Sequence, residues 1–198
     1  MESTTYNAND WFVLRTKSKH EKQVALAISR LGFENLLPLF KSRRQWKERW
    51  ADVSLPLFPG YVFCQFDRES WGHVMKVPGV VEVVRCGKKL AAVDEDQMRS
   101  LLIVQRTPAG QEPWSYVATG EKIRINAGPF AGVVGTLIET KGHRRLVLSV
   151  DLIGRSILVH LDTDCVDPGV AWAAYSNSSR QSPSVAVGVP FQQRSDSL

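Results

Sequence analysis

The stretch from Leu55 to Phe66, LPLFPGYVFCQF, constrains this chain more than any other. Pro56 and Pro59 bracket Leu57 and Phe58, Pro59-Gly60 marks a turn, and a strand follows. Side chains alternate along a strand, so Tyr61, Phe63 and Gln65 share one face and Val62, Cys64 and Phe66 share the other. A half-buried strand carries polar residues on its second face. Here the second face carries an aromatic pair instead. One face can meet the domain's own core, and the other requires a second cover. That cover is either another element of the same chain or a partner protein.

Upstream, Trp11–Thr16 predicts a first strand. Ser18 with Glu21 three positions later has the form of a capping box. Val24, Ala27, Ile28 and Leu31 then recur at helical spacing up to Gly32, which predicts a helix over 19–31. Residues 35–40 predict a second strand. Residues 41–50, KSRRQWKERW, hold five basic residues, one acid and two tryptophans, and read as a protruding hairpin or loop. A solvated basic loop and a nucleic-acid surface both fit this composition, since bases stack on indoles while Arg and Lys meet phosphates. Downstream, Asp67–Ser70 opens a short helix with Trp71, Val74 and Met75 on one face, and Val77-Pro78-Gly79 ends it. Val80–Arg85 predicts a strand, Gly87–Lys89 a turn and Leu90–Val93 a returning strand. Asp94 with Gln97 opens a helix through Met98, Leu101 and Leu102. This order predicts an α+β sandwich with helices packed on a mainly antiparallel sheet.

The pattern changes after that. Residues 106–117, with two prolines and a glycine, read as a linker. Lys122–Ile125, Val133–Thr140, Arg145–Val150 and Ser156–Leu161 are short strands between turn signals, which predicts a small β-barrel over 118–169. The expected organisation is a flexible N-terminus over 1–9, a domain over 10–105, the linker, the barrel, and a disordered tail over 170–198 rich in Ser, Gln and Ala.

Composition narrows the function classes. No apolar run approaches the ~20 residues of a membrane span, and the N-terminus lacks the form of a secretory signal, so a cytoplasmic protein is expected. The net charge of +5 permits nucleic-acid contact without requiring it. Cys64, Cys86 and Cys165 are too scattered for a disulfide framework or a zinc knuckle. His20, His73, His143 and His160 pair with no carboxylate or cysteine at ligand or triad spacing. No metal, cofactor or catalytic machinery is expected.

Residues 119–137, TGEKIRINAGPFAGVVGTL, resemble a KOW motif, with Gly128, Pro129, Phe130 and Gly132 at its turn. Together with Trp11-Phe12-Val13-Leu14, the helix after it, the basic hairpin, Phe58-Pro59-Gly60-Tyr61-Val62, Trp71 and Val77-Pro78-Gly79-Val80, the order resembles the NusG family over roughly residues 10–168. Leu55–Phe63 and RTKSKHEK at 15–22 look closer to the specialised RfaH-like and UpxY-like antiterminators of long polysaccharide operons.

The resemblance implies a NusG-type N-terminal α/β sandwich followed by an SH3-like KOW barrel. It implies a monomeric, non-enzymatic transcription factor that binds the clamp helices of RNA polymerase and suppresses pausing. Tyr61 and Phe63 match the aromatic pair of the family's apolar depression, with Trp11 and Phe58 as neighbours. Arg15 and Cys86 stand where RfaH has aromatic residues, and Gly72-His73-Val74 stands where it has His-Thr-Thr. Lys17 matches a basic position facing the non-template DNA strand. Arg43, Arg44, Lys47 and Arg49 are added to that face on charge alone. The KOW barrel implies a recruited partner, either the ribosomal protein NusE or Rho. In RfaH this domain also adopts a helical hairpin that masks the polymerase site, but the β-branched Val133, Val134, Ile138, Ile157, Val159 and Val166 here favour strands. A housekeeping NusG role, and an RNA-binding or ribosome-associated KOW module, remain the alternatives.

Overall fold

The computed structural model describes residues 10–46, 49–67, 69–107, 110–115, 117, 122–126, 128–140, 143–160 and 173–174. The expected flexible N-terminus, and all of the expected disordered tail except 173–174, lie outside these residues.

Strand β1 (Trp11–Thr16) runs through the middle of the first sheet. Helix α1 (Glu21–Arg30) follows, then β2 (Asn35–Leu36), β3 (Leu39–Trp46), β4 (Arg49–Pro56), β5 (Tyr61–Gln65) and α2 (Trp71–Met75). After these come β6 (Val80–Val83), the small ribbon of β7 (Arg85–Cys86) and β8 (Lys89–Leu90), and α3 (Glu95–Arg106). The sheet order is β2-β5-β1-β6, and every ladder in it is antiparallel. The strand expected over 35–40 is divided between β2 and β3, with Pro38 between them; proline lacks the N–H that a continuous ladder needs.

Both faces of this sheet are covered. On one, Phe12, Leu14, Val62, Cys64 and Phe66 pack with Val24 and Ile28 of α1 and Val74 of α2. Gly79 lets the chain pass over α1. Its φ is 97°, and a Cβ there would lie 3.0 Å from Val24 Cγ2 and 3.2 Å from His20 Cβ. On the other face, Val13, Leu57, Phe58 and Phe63 join Met98, Leu101 and Val104 of α3 in one apolar cluster.

Two local expectations are corrected. Helix α1 begins at Glu21, later than position 19, and its N-cap residue His20 makes no side-chain cap bond. Lys19 takes a left-handed φ of 64°, which breaks the turn the capping box would need. Glu21 instead accepts a hydrogen bond from the Gly60 N–H at 2.8 Å. The cap of α3 follows the sequence pattern on one side: the Asp94 carboxylate accepts the N–H groups of Asp96 and Gln97 at 3.1 Å. The Gln97 side chain turns elsewhere, to Asp151.

The third correction concerns the linker. Gln111–Trp114 forms β9, which pairs with a strand of the second sheet. That sheet comprises β10 (Lys122–Arg124), β11 (Val134–Thr140), β12 (His143–Val150), β13 (Arg155–His160) and β14 (Ala173–Ala174), in the antiparallel order β14-β10-β11-β12-β13-β9. Two prolines within 106–117 pointed away from a strand. Pro113 is tolerated because β9 is an edge, where one N–H per pair faces away from the ladder. The four strands expected between 122 and 161 all form, each within two residues of its expected start.

The second sheet rests on α3. Phe130, Val133, Leu146, Leu148 and Ile157 belong to the cluster that holds Leu101, Val104 and Phe63. Polar contacts frame this apolar contact. The Val134 N–H donates to Ser100 Oγ at 2.9 Å. Arg124 meets Asp96 at 3.1 Å, and Gln97 bonds both the side chain and the N–H of Asp151.

Candidate functional site

In the β1–β5 register Arg15 lies opposite Tyr61, Val13 opposite Phe63 and Trp11 opposite Gln65, so all six share one face of the sheet. Leu36 adds to that face from β2 and Glu82 from β6. The face has a closed middle and a more open end. In the middle, Phe63 is 0% exposed and Phe58 1%, their rings edge to face at 5.5 Å. At the open end Tyr61 is half-buried, beside an Arg15–Glu82 ion pair at 2.7 Å whose side chains are about half exposed. Trp11 is half-buried and packs on the cluster's margin.

The structure therefore brings Trp11, Phe58, Tyr61 and Phe63 into one neighbourhood but gives them different surroundings. Tyr61 and Trp11 retain accessible surface. Phe58 and Phe63 are covered by this chain itself in this conformation. Cys64, on the opposite face, is fully buried, and burial pushes its thiol up to about 12. Glu82 was not legible as part of this face. It is a charged residue within Val80–Val83, and only the β1–β6 register sets it against Arg15.

Of the basic residues, Lys17 is exposed just beyond β1, with its backbone N–H bonded to the Gly79 carbonyl at 2.8 Å. The basic hairpin is the two-stranded ribbon β3–β4, paired from Leu39–Pro56 out to Trp46–Arg49. Arg43 is exposed on it, and the backbones of Arg44 and Arg49 lie in its two strands. Lys47 lies outside the described residues.

The turn expected from the KOW resemblance takes the backbone its glycines permit: φ is 80° at Gly128 and 90° at Gly132. Gly128 and Pro129 are exposed, but Phe130 is 3% exposed. Thr107 Oγ1 donates to the Pro129 carbonyl at 3.3 Å, and a Cβ on Gly132 would lie 3.4 Å from Ile103 Cδ1, so this turn abuts the end of α3. Among the described residues no group of His, Cys, Asp and Glu is arranged to hold a metal ion, and no helix is long and apolar enough to cross a membrane.

The family described as transcription termination factor NusG matches residues 9–102, the span that builds the first sheet, its ribbons, α1, α2 and most of α3. These residues place that part of the chain in the NusG family. The transcription termination/antitermination protein NusG of Helicobacter pylori is 26% identical over 167 residues, covering 77% of this chain and 94% of that protein. The NusG of Thermus thermophilus is 33% identical over 121 residues, covering 56% of this chain and 66% of that protein. A solved structure described as "Domain interaction in Thermotoga maritima NusG" aligns with a TM-score of 0.47 and 24% identity, covering 80% of this chain and 97% of that one. In NusG-family terms, the face carrying Tyr61 and the β3–β4 ribbon both fall inside the matched span.

Proposed function

We propose that this NusG-family chain is a non-enzymatic transcription elongation and antitermination factor that binds the clamp helices of RNA polymerase through the face of β1 and β5. The supporting observation is that a family-matched sheet face carries the half-buried Tyr61 and Trp11 at opposite ends of the β1–β5 ladder, with the buried Phe63 between them and Phe58 against it. Tyr61 and Trp11 make the first contacts, and Phe63, packed on Phe58, lies between them. Direct contact to Phe63 requires its cover to open. The Arg15–Glu82 pair beside Tyr61 makes this surface more polar than an all-aromatic one.

The finer reading is an operon-specific antiterminator, supported by Leu55–Phe63 and residues 15–22. Lys17 and the basic ribbon lie along nucleic acid, and the KOW unit recruits NusE or Rho. A housekeeping NusG role is the second reading; the relatives that align over most of their length carry that name.

The test is a pull-down of purified polymerase clamp helices with full-length variants, alongside thermal melts. Tyr61→Ala should lower binding by ~2 kcal/mol or more and leave the melt nearly unchanged. Phe63→Ala should cost about 3–5 kcal/mol of stability as well, since its ring is fully buried. Unchanged binding in Tyr61→Ala would remove this face from the polymerase contact. Elongation in vitro through a pause and a Rho site then separates the two roles. Tight, strongly salt-dependent binding to free structured RNA, with no polymerase dependence, would favour an RNA module instead.

A further inference from the structure

Glu21 stands in the first turn of α1, where an acid ordinarily bonds the N–H groups of its own helix or faces the macrodipole from solvent. This one is 6% exposed, and its Oε1 accepts the Gly60 N–H at 2.8 Å, 39 residues along the chain. The helix start itself is left without a side-chain cap bond at His20. Taking a carboxylate out of water is costly unless hydrogen bonds replace the water. The needs of α1 therefore do not account for where Glu21 points, and the needs of the Pro59-Gly60 turn do.

Gly60 is held from two sides. Glu21 takes its N–H, and its carbonyl accepts the Thr16 N–H at 2.8 Å. Its φ is 85°, and a Cβ there would meet nothing within 4 Å, so glycine serves the backbone angle and not a close approach. The Tyr61 N–H then closes the turn by donating to the Phe58 carbonyl at 3.1 Å. Tyr61 is the first residue of β5, and its pairing with Arg15 is the last of the β1–β5 ladder. On the far side of β1, the register with β6 shifts between Arg15 and Thr16. A strand end beside such an irregularity is only loosely placed by its ladder. The turn, and so the bond from Glu21, sets where the Tyr61 ring stands. Phe63, two residues further on, is enclosed by the core and depends less on that hold.

We propose that Glu21 is a positioning residue for the partner contact: through the Gly60 N–H it fixes the Phe58–Tyr61 turn and keeps Tyr61 in the place from which it meets the polymerase clamp helices. Glu21 is too enclosed to meet a partner itself. Its effect is preorganisation, since a ring already in its bound place loses less freedom on association. This rests on the reading of the β1–β5 face as the polymerase contact and adds a residue that governs it from the opposite side of the turn.

The experiment measures the affinity of purified clamp helices for full-length variants by calorimetric titration, at a temperature where thermal melts show every variant folded. Tyr61→Ala sets the scale of the contact. Glu21→Ala should weaken binding on the order of tenfold, and Glu21→Gln, which keeps an acceptor oxygen, should retain most of the affinity. In a Tyr61→Ala background, Glu21→Ala should change affinity by less than about twofold, because it acts through that ring. Ile28→Val trims the core between α1 and the sheet and leaves the Gly60 bond in place. It should lower the melting temperature and bind as the parent does, which separates a placed ring from general stability. Parent-like binding by Glu21→Ala would overturn the proposal while leaving the face intact. So would losses that multiply fully in the double variant, an equal loss in Ile28→Val, or a loss in Glu21→Gln as large as in Glu21→Ala. Unchanged binding in Tyr61→Ala would remove the face itself, and this role of Glu21 with it.

Discussion

The Glu21 carboxylate joins the start of α1 to the Pro59-Gly60 turn, two points 39 residues apart in the chain. It is 6% exposed, so its bond to the Gly60 N–H sits where water cannot readily replace it. Glu21→Ala should cost about 1–3 kcal/mol in denaturant unfolding, and Glu21→Gln, which keeps an acceptor oxygen, should cost less. Equal losses would show that the charge matters rather than the accepted bond. The residue pattern around Glu21 had pointed to a capping partner three positions away. Nothing local distinguishes that from a partner brought close by folding.

Cys64 titrates in the opposite sense to a stabilising carboxylate. Its folded value of about 12 stands above the ordinary 9.0, because burial penalises the thiolate. The unfolded chain therefore releases this proton first as pH rises. The stability tied to the neutral thiol is complete below pH 9 and is lost progressively between pH 9 and 12. Cys64→Ala should flatten the alkaline fall in unfolding free energy across that window. An unchanged slope would show that the thiol is solvated in the native state.

At the scale of elements, α3 is the most informative. Its existence and its Asp94 cap were legible from the sequence, because a side chain that accepts N–H groups two and three positions ahead is a local device. Its burial was less legible. The helix serves the first sheet through residues such as Met98, and it also holds β11 through Ser100, whose hydroxyl donates to the Asp96 carbonyl and accepts the Val134 N–H. Ser100 is 1% exposed, a polar residue in a position that period-3.6 counting would leave unassigned. Ser100→Ala should strand the Val134 N–H, costing about 1–3 kcal/mol, and amide exchange at Val134 should accelerate relative to the β12–β13 ladder. Equal acceleration throughout the second sheet would mean that α3 does not hold β11 in particular.

At the scale of the whole molecule, the segment expected to be a linker sets how the two sheets are joined. Gln111 Nε2 donates to the Val104 carbonyl near the end of α3, and β9 then pairs directly with β13. The connection between the sheets is thus short and partly hydrogen-bonded. In native-state hydrogen exchange, the amides of Glu112 and Trp114 that face β13 should be protected to a degree close to that of β13 itself. Exchange at the rate of an open chain would restore the linker reading. The family-matched span and the second sheet are also held together by Arg124–Asp96 and the two Gln97–Asp151 bonds, all between residues far apart in sequence.

Tyr61–Gln65 is the place where these levels meet. Alternation alone determined that the strand had apolar residues on both faces and needed two covers, because side-chain direction on a strand depends only on the pleat. Short-range chemistry likewise determined the capped helix α3, the basic hairpin and the strands between 122 and 160, since periodicity, caps and turn residues act within a few positions. Only the tertiary structure decided which cover is used. In this conformation Phe63 is enclosed in the cluster that includes α3 and the second sheet, while Tyr61 keeps an open edge beside Arg15 and Glu82. That choice depends on contacts between segments that only the folded chain brings together, and burial is a property of those contacts rather than of any one stretch.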